Sequence, residues 1–205
     1  MQKIAIFGFG NVGQKLATLF SEAGKTVVIY SKDGQSGRDR YKSASYSDGV
    51  RAVDAIALAV PYTGIKALLK PLTEELAGKI IIDCSNPLND DWSPLLLGQE
   101  TSAAEQIAAA VPQAKVIKAF NTIFADVMAK EHHNRGGLTM TAFIAGDDSA
   151  AKNTTLELAA AVGLAPLDVG PLRSARYLEA MAHLNIQIAV GQGGGTQAAF
   201  VYHQA

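Results

Sequence analysis

A chain of 205 residues with 48% hydrophobic and 18% charged content can bury one sizeable core and carries too little charge for disorder. Its formal charge of −1, without a run of one sign, excludes the clustered basic face that nucleic acid or an anionic membrane would demand. The single cysteine, Cys84, excludes an internal disulfide and suits a reducing cytoplasm. No apolar run approaches the ~18 residues of a membrane span, and the apolar start, Ile4 to Phe7, is too short for a secretory signal.

Ile4 to Phe7 and Val27 to Tyr30 are short apolar runs. Between them Val12, Leu16, Leu19, Phe20 and Ala23 recur at helical spacing, and Gly24 supplies a C-terminal cap. The unit is strand–helix–strand, and its continuously apolar strands predict burial on both faces, as in parallel sheets. Ser31 to Val53 is polar and leaves room for only an abbreviated helix and strand. Ala55 to Val60 is the next strand, followed by a helical stretch from Thr63 that Pro71 must interrupt. Lys79 to Asp83 is a further strand. Ser102 and Glu105 form a capping box for an alanine-rich helix, and Lys115 to Phe120 reads as a strand. Leu138 to Ala145, a helix begun by Asp147 or Asp148, and Leu164 to Val169 complete the alternation. A helical stretch from Leu172 to Val190 then meets the glycine-rich "GQGGGTQ". The expected fold is α/β: a Rossmann-type doubly wound, mostly parallel sheet over residues 1–170, with a C-terminal helix and tail over 171–205 that is not an independent domain.

Chemistry concentrates at the strand ends. In "GFGNVG" Gly8 would make the tight turn, Gly10 would admit a pyrophosphate to the backbone, and Gly13 would let the helix pack closely on the strand. The flanking strand, helix and second strand favour a bound dinucleotide over an empty turn. No acid ends the second strand. Ser31 and Lys32 stand where a 2′-phosphate would sit, with Arg38 near enough to close over it, so NADP is favoured over NAD despite Asp33. Further strand ends, "AVPY", "DCSNPL" and "KAFNT", place Pro61 and Pro87 as rigid stops. Asn86 and Asn121 either hydrogen-bond a carboxamide or substrate, or simply form turns.

"GFGNVG", "AVPY", "IIDCSNPL", "SAAEQIA", "KVIKAFNT", "FIAGDDSAAK" and "DVGPLRSARYLEAMA", in this order, resemble the NADP oxidoreductases dependent on the deazaflavin coenzyme F-420 and their relatives. The resemblance runs from Ile4 to about Ala182. It implies hydride passed between NADP(H) and a deazaflavin or flavin-like acceptor, often by a dimer. It implies that Gly8, Phe9, Gly10, Asn11 and Val12 hold the pyrophosphate, and that Ser31 and Lys32 hold the 2′-phosphate. Ala59, Pro61, Asn86 and Ala119 would line the nicotinamide, with Val60 in the same turn. The tail, where a second ligand's specificity would be set, departs from the family pattern.

No acid–base pair is evident. Hydride transfer between stacked rings needs orientation and water exclusion more than side-chain chemistry, so none is required. The same lack leaves a non-catalytic NADP(H) sensor as an alternative, and a small imine or ketone reductase with a dimer-completed site as another. Cys84 reads as small buried filler, and His132 and His133 as a solvated loop with no metal set. His183 either pairs with Glu179 on the helix surface or donates to the acceptor ring. "GQGGGTQ" reads as a flexible turn, not a phosphate loop.

Overall fold

The computed structural model describes residues 1–30, 42–43, 46–98 and 100–204. In chain order, strand β1 (Lys3–Phe7), helix α1 (Asn11–Glu22) and β2 (Thr26–Tyr30) form the expected first unit. The short β3 (Lys42–Ser43) and α2 (Tyr46–Arg51) follow. Next come β4 (Ala55–Leu58), α3 (Tyr62–Leu69), β5 (Ile80–Asp83), α4 (Ala103–Ala110) and β6 (Lys115–Lys118). A small hairpin of β7 (Asn134–Arg135) and β8 (Leu138–Thr139) precedes β9 (Thr141–Gly146), α5 (Ser149–Ala161), β10 (Ala165–Asp168) and α6 (Ala175–Ile186). No helix among the described residues is long and apolar enough to cross a membrane.

The sheet order is β10-β9-β6-β5-β4-β1-β2-β3. The chain leaves β1 towards β2 and β3, then returns to β4 on the other side. That reversal opens a crevice at the carboxyl ends of β1 and β4, where this fold class binds ligands. Successive residues of β1 point to opposite faces. Ile4 and Ile6 join a core with Leu16, Phe20 and Leu158, while Ala5 and Phe7 join another with Ile65, Leu69 and Ile107. Burial on both faces explains why these strands read as unbroken apolar runs.

The caps match the sequence signals. Ser102 Oγ accepts the Glu105 N–H at 3.1 Å and donates to the Glu105 carboxylate at 2.7 Å. Asp148, rather than Asp147, caps α5, accepting the Ala151 N–H at 2.8 Å. A 3-10 turn at Lys70–Leu72, holding Pro71, ends α3.

The last two strands are where the mostly parallel sheet departs from parallel. β9 pairs antiparallel with β6, Lys118 facing Ala145, and β10 runs parallel to β9. The cause lies between β6 and β9, where the chain makes only 3-10 turns (Ala125–Val127, Lys130–His132) and the hairpin. A parallel return needs a crossover of a dozen residues or more, usually a helix, and none is formed here. At the sheet's edge β10 alternates between half-buried and exposed residues, unlike the interior strands.

Candidate active site

The three glycines of the β1–α1 turn do three different things. Gly8 has φ of 101° and packs so closely on the end of β4 that a Cβ would overlap the Ala59 carbonyl. A Cβ on Gly13 would overlap the Gly8 carbonyl, so α1 approaches the turn only because position 13 is bare. Gly10 has ordinary extended geometry and nothing within 4 Å of the place a Cβ would take. Its face is open to the crevice. It begins α1 without a side-chain cap, and no acid lies in the first turn. The helix's unpaired N–H groups and positive dipole end therefore remain available to an anion.

Gly10, Asn11 and Val12 line a cleft of about 470 Å³, together with Ala59, Val60, Pro61, Asn86 and Asn121. Phe9 is half-buried against the core, so its backbone rather than its side chain borders the turn. Ala119 corrects an expectation: it is fully buried among core residues and does not line the cleft, where Phe120, Asn121 and Thr122 do. Ser31, Lys32 and Arg38 lie outside the described residues.

Asn86 and Asn121 are joined to each other. Asn86 Nδ2 donates to the Asn121 carbonyl at 2.8 Å, and Asn121 Nδ2 donates to Asn86 Oδ1 at 2.8 Å and to the Leu178 carbonyl at 3.1 Å. That leaves Asn121 Oδ1 buried with no hydrogen-bond partner. A buried acceptor left bare costs about 1–3 kcal/mol, and this one belongs to a residue of the cleft wall. Phe120, just before it, has φ of 62°, a strained conformation for a bulky residue.

Below these asparagines lies a buried ionic cluster that sequence reasoning missed. Lys118 Nζ donates to Asp83 Oδ2 at 2.8 Å, to Glu179 Oε1 at 2.9 Å and to the Ser85 carbonyl at 2.6 Å. Asp83 Oδ1 accepts the Ser85 N–H and hydroxyl, and Glu179 accepts the Ala103 and Ala104 N–H groups at the start of α4. Lys118 and Asp83 are fully buried and Glu179 nearly so. Burial would push the Lys118 ammonium towards neutrality, but Asp83 and Glu179 outweigh it and hold its pKa above the usual lysine value. The cluster ties β5, β6, α4 and α6 together directly beneath the cleft.

Glu179 is thereby unavailable to His183, and the surface pair does not form. His183 Nε2 lies 3.0 Å from the Pro87 carbonyl, and the residue is not on the cleft wall, so the structure does not place it over an acceptor ring. His133 is also a correction. Its ring is buried, 2.8 Å from the Met128 carbonyl and 3.3 Å from that of Gly163, so it pins the 3-10 turns rather than lying in solvent. Cys84 is buried as expected, and desolvation first, then the Asp83 charge, pushes its thiol pKa far up, keeping it inert. Among the described residues no group of three His, Cys, Asp or Glu could hold a metal ion.

The glycine tail folds back on its own helix. The N–H groups of Gly194 and Gly195 donate to the Ile188 and Ala189 carbonyls, and Thr196 Oγ1 donates to Asp126 Oδ2 at 2.5 Å on the cleft rim. It is a helix-terminating turn that returns the chain to the cleft.

A Rossmann sheet with an uncapped glycine turn and an apolar, asparagine-bearing cleft at its switch point is the architecture of a dinucleotide-dependent oxidoreductase. Residues 3–87 match the family described as NADP oxidoreductase coenzyme F420-dependent. An F420-dependent NADP reductase of Methanocaldococcus jannaschii is 26% identical over 210 residues, covering 92% of each protein. A solved protein from Arthrobacter sp. FB24, provisionally titled an F420-dependent NADP-reductase, is 27% identical with a TM-score of 0.87 and full coverage of both chains. Metalloreductase STEAP3 of Rattus norvegicus is 34% identical over 183 residues, 87% of this chain, and the chain spans only 36% of that protein's length. The chain is similar to the coenzyme F420-dependent NADP oxidoreductases and their relatives, and the likeness supports an NADP-dependent oxidoreductase.

Proposed function

We propose that the cleft holds NADP(H) with its pyrophosphate at Gly10–Val12 and its nicotinamide at the ends of β4, β5 and β6, and that the chain passes hydride to or from a deazaflavin or flavin-like acceptor. The observation that carries this reading is Asn121 Oδ1, a buried acceptor without a partner on the cleft wall, suited to an N–H of the carboxamide. The open space above Gly10 fits the same group's pyrophosphate. Bound NADP(H) would supply or take up the hydride, with one proton exchanged with water to balance the acceptor's reduction or oxidation.

The chain's own residues then orient and enclose. Asn86 fixes the Asn121 amide against the cleft wall. Pro61 and Val60 stiffen the β4 turn, and Phe120 and Ile123 keep water from the reacting face. Ser31, Lys32 and Arg38 take the 2′-phosphate in this reading. No acid or base is needed at a carbonyl oxygen, which favours ring-to-ring transfer over alcohol oxidation. A reducing cytoplasm and a homodimer complete the proposal, the dimer supported by the exposed apolar Tyr177 and Leu184 on α6 and Ile188 just past its end.

Titration with NADPH and with NADH tests the nucleotide half. NADPH is expected to bind at least about tenfold tighter, ~1.4 kcal/mol. A tighter NADH constant would overturn the 2′-phosphate assignment to Ser31, Lys32 and Arg38.

A further inference from the structure

Besides the strand ends, three further elements line the cleft. The loop after β5 supplies Asp90 and Trp92, the 3-10 turn after β6 supplies Asp126, and α6 supplies Asn185 and Ile186. Trp92 is half exposed at the rim, with φ of 69°. Its loop is tied by Asp91 Oδ1 accepting the Ser93 hydroxyl at 2.6 Å and by Asn89 Nδ2 donating to the Pro94 carbonyl at 3.2 Å. An indole held out of the core in a strained, hydrogen-bonded loop offers a flat face to a flat ligand. Asn185 is 6% exposed, and its side-chain amide has no hydrogen-bond partner among the described residues. It can meet the polar edge of a ring.

The charges here have one sign. Asp90 and Asp126 line the cleft, and none of its described lining residues is lysine, arginine or histidine. Beneath the cleft, the Lys118 cluster sets two carboxylates against one ammonium. Tyr62, on the cleft wall, feels that imbalance: burial first, then the charges of Glu179 and Asp83, raise its pKa.

We propose that this part of the cleft is the acceptor subsite and that it selects a planar aromatic ring without an anionic tail, stacked on Trp92, while Asp90 and Asp126 repel a phosphate or carboxylate tail. The inference rests on the hydride-transfer reading above. A deazaflavin or flavin bearing a phosphate is then a poorer acceptor than its tail-free ring.

Riboflavin and flavin mononucleotide share one ring and differ by a phosphate, which makes them the probes. Trp92 is the single tryptophan, so quenching of its emission reports binding independently of turnover. At low salt riboflavin is expected to bind about tenfold tighter than the mononucleotide, and added salt should narrow the gap. The Asp90→Asn/Asp126→Asn double variant should bring the ratio towards one, in quenching and in NADPH-driven kcat/KM alike. Equal or tighter binding of the mononucleotide by the unaltered protein would overturn the charge filter while leaving hydride transfer standing. If neither flavin binds and neither flavin nor a deazaflavin oxidises NADPH, the hydride-transfer reading itself falls, and the filter with it.

Discussion

Lys118→Met is expected to destabilise the protein by about 3–5 kcal/mol, because it leaves Asp83 and Glu179 buried against each other without the cation between them. For a chain of this size that corresponds to a fall in melting temperature of roughly 10 °C. Glu179→Gln should cost less, about 1–3 kcal/mol, since Asp83 still neutralises Lys118 and an amide oxygen can still accept from the start of α4. The triple replacement Asp83→Asn/Lys118→Met/Glu179→Gln should recover much of the Lys118→Met loss by removing the stranded charges. The lysine's pKa lies above 10.5 in the folded protein, so its contribution is fully present below 10.5 and is lost only as pH rises through the still higher folded value. Thermal unfolding of the set at neutral pH is the check. A loss below about 1 kcal/mol for Lys118→Met would mean that water reaches the cluster and that α6 is held by its apolar contacts alone.

Two alanines in the glycine turn should separate binding from folding. Gly10→Ala places a methyl in open space on an extended backbone, so stability should fall by less than about 1 kcal/mol, the scale of a changed N-cap. The same methyl stands where the pyrophosphate approaches the α1 N–H groups, and NADPH affinity should drop about 10- to 100-fold, ~1.4–2.7 kcal/mol. Gly13→Ala instead drives a methyl into the Gly8 carbonyl, which cannot yield without parting α1 from β1. It should cost about 1–3 kcal/mol of stability and weaken NADPH as a consequence. Parallel thermal unfolding and NADPH titration distinguish the pair. Wild-type affinity in Gly10→Ala would place the pyrophosphate elsewhere.

The succession of elements up to β6 is legible in the sequence because strands buried on both faces leave continuous apolar runs, and because Ser102 and Asp148 announce their helices. Strand direction is another matter. Nothing in the apolar run of β9 says which way it points; the cue was the lack of a helical pattern between Lys118 and Leu138. The tight turn at Gly8 and the close packing at Gly13 were readable, since both follow from local backbone geometry. Ala119 was misplaced because the strand end that faces the cleft begins one residue later, at Phe120.

Partnerships distant in sequence stayed hidden. Glu179 and His183, four apart on a helix, looked like a pair, but a buried ammonium 61 residues away competes for the same carboxylate and wins. Lys118 itself reads as one polar residue within a strand, and only the fold brings Glu179 of α6 to it. His133 is drawn inside by the carbonyls of Met128 and Gly163, one of them 30 residues distant. Asn86 and Asn121 were legible as polar groups at strand ends. Their mutual bonding, and the oxygen it leaves bare, required the fold.

The central claim is that hydride leaves or enters a nicotinamide held against Asn121. The most direct measurement is an anaerobic single-turnover reaction of the protein with riboflavin and NADPH carrying deuterium on the transferred C4 face. The account predicts loss of flavin absorbance in step with NADPH oxidation, a primary isotope effect on that rate, and a slower reaction in Asn121→Ala. Tight NADPH binding with no oxidation by riboflavin or by a deazaflavin would contradict it, and would make the protein a nucleotide sensor instead.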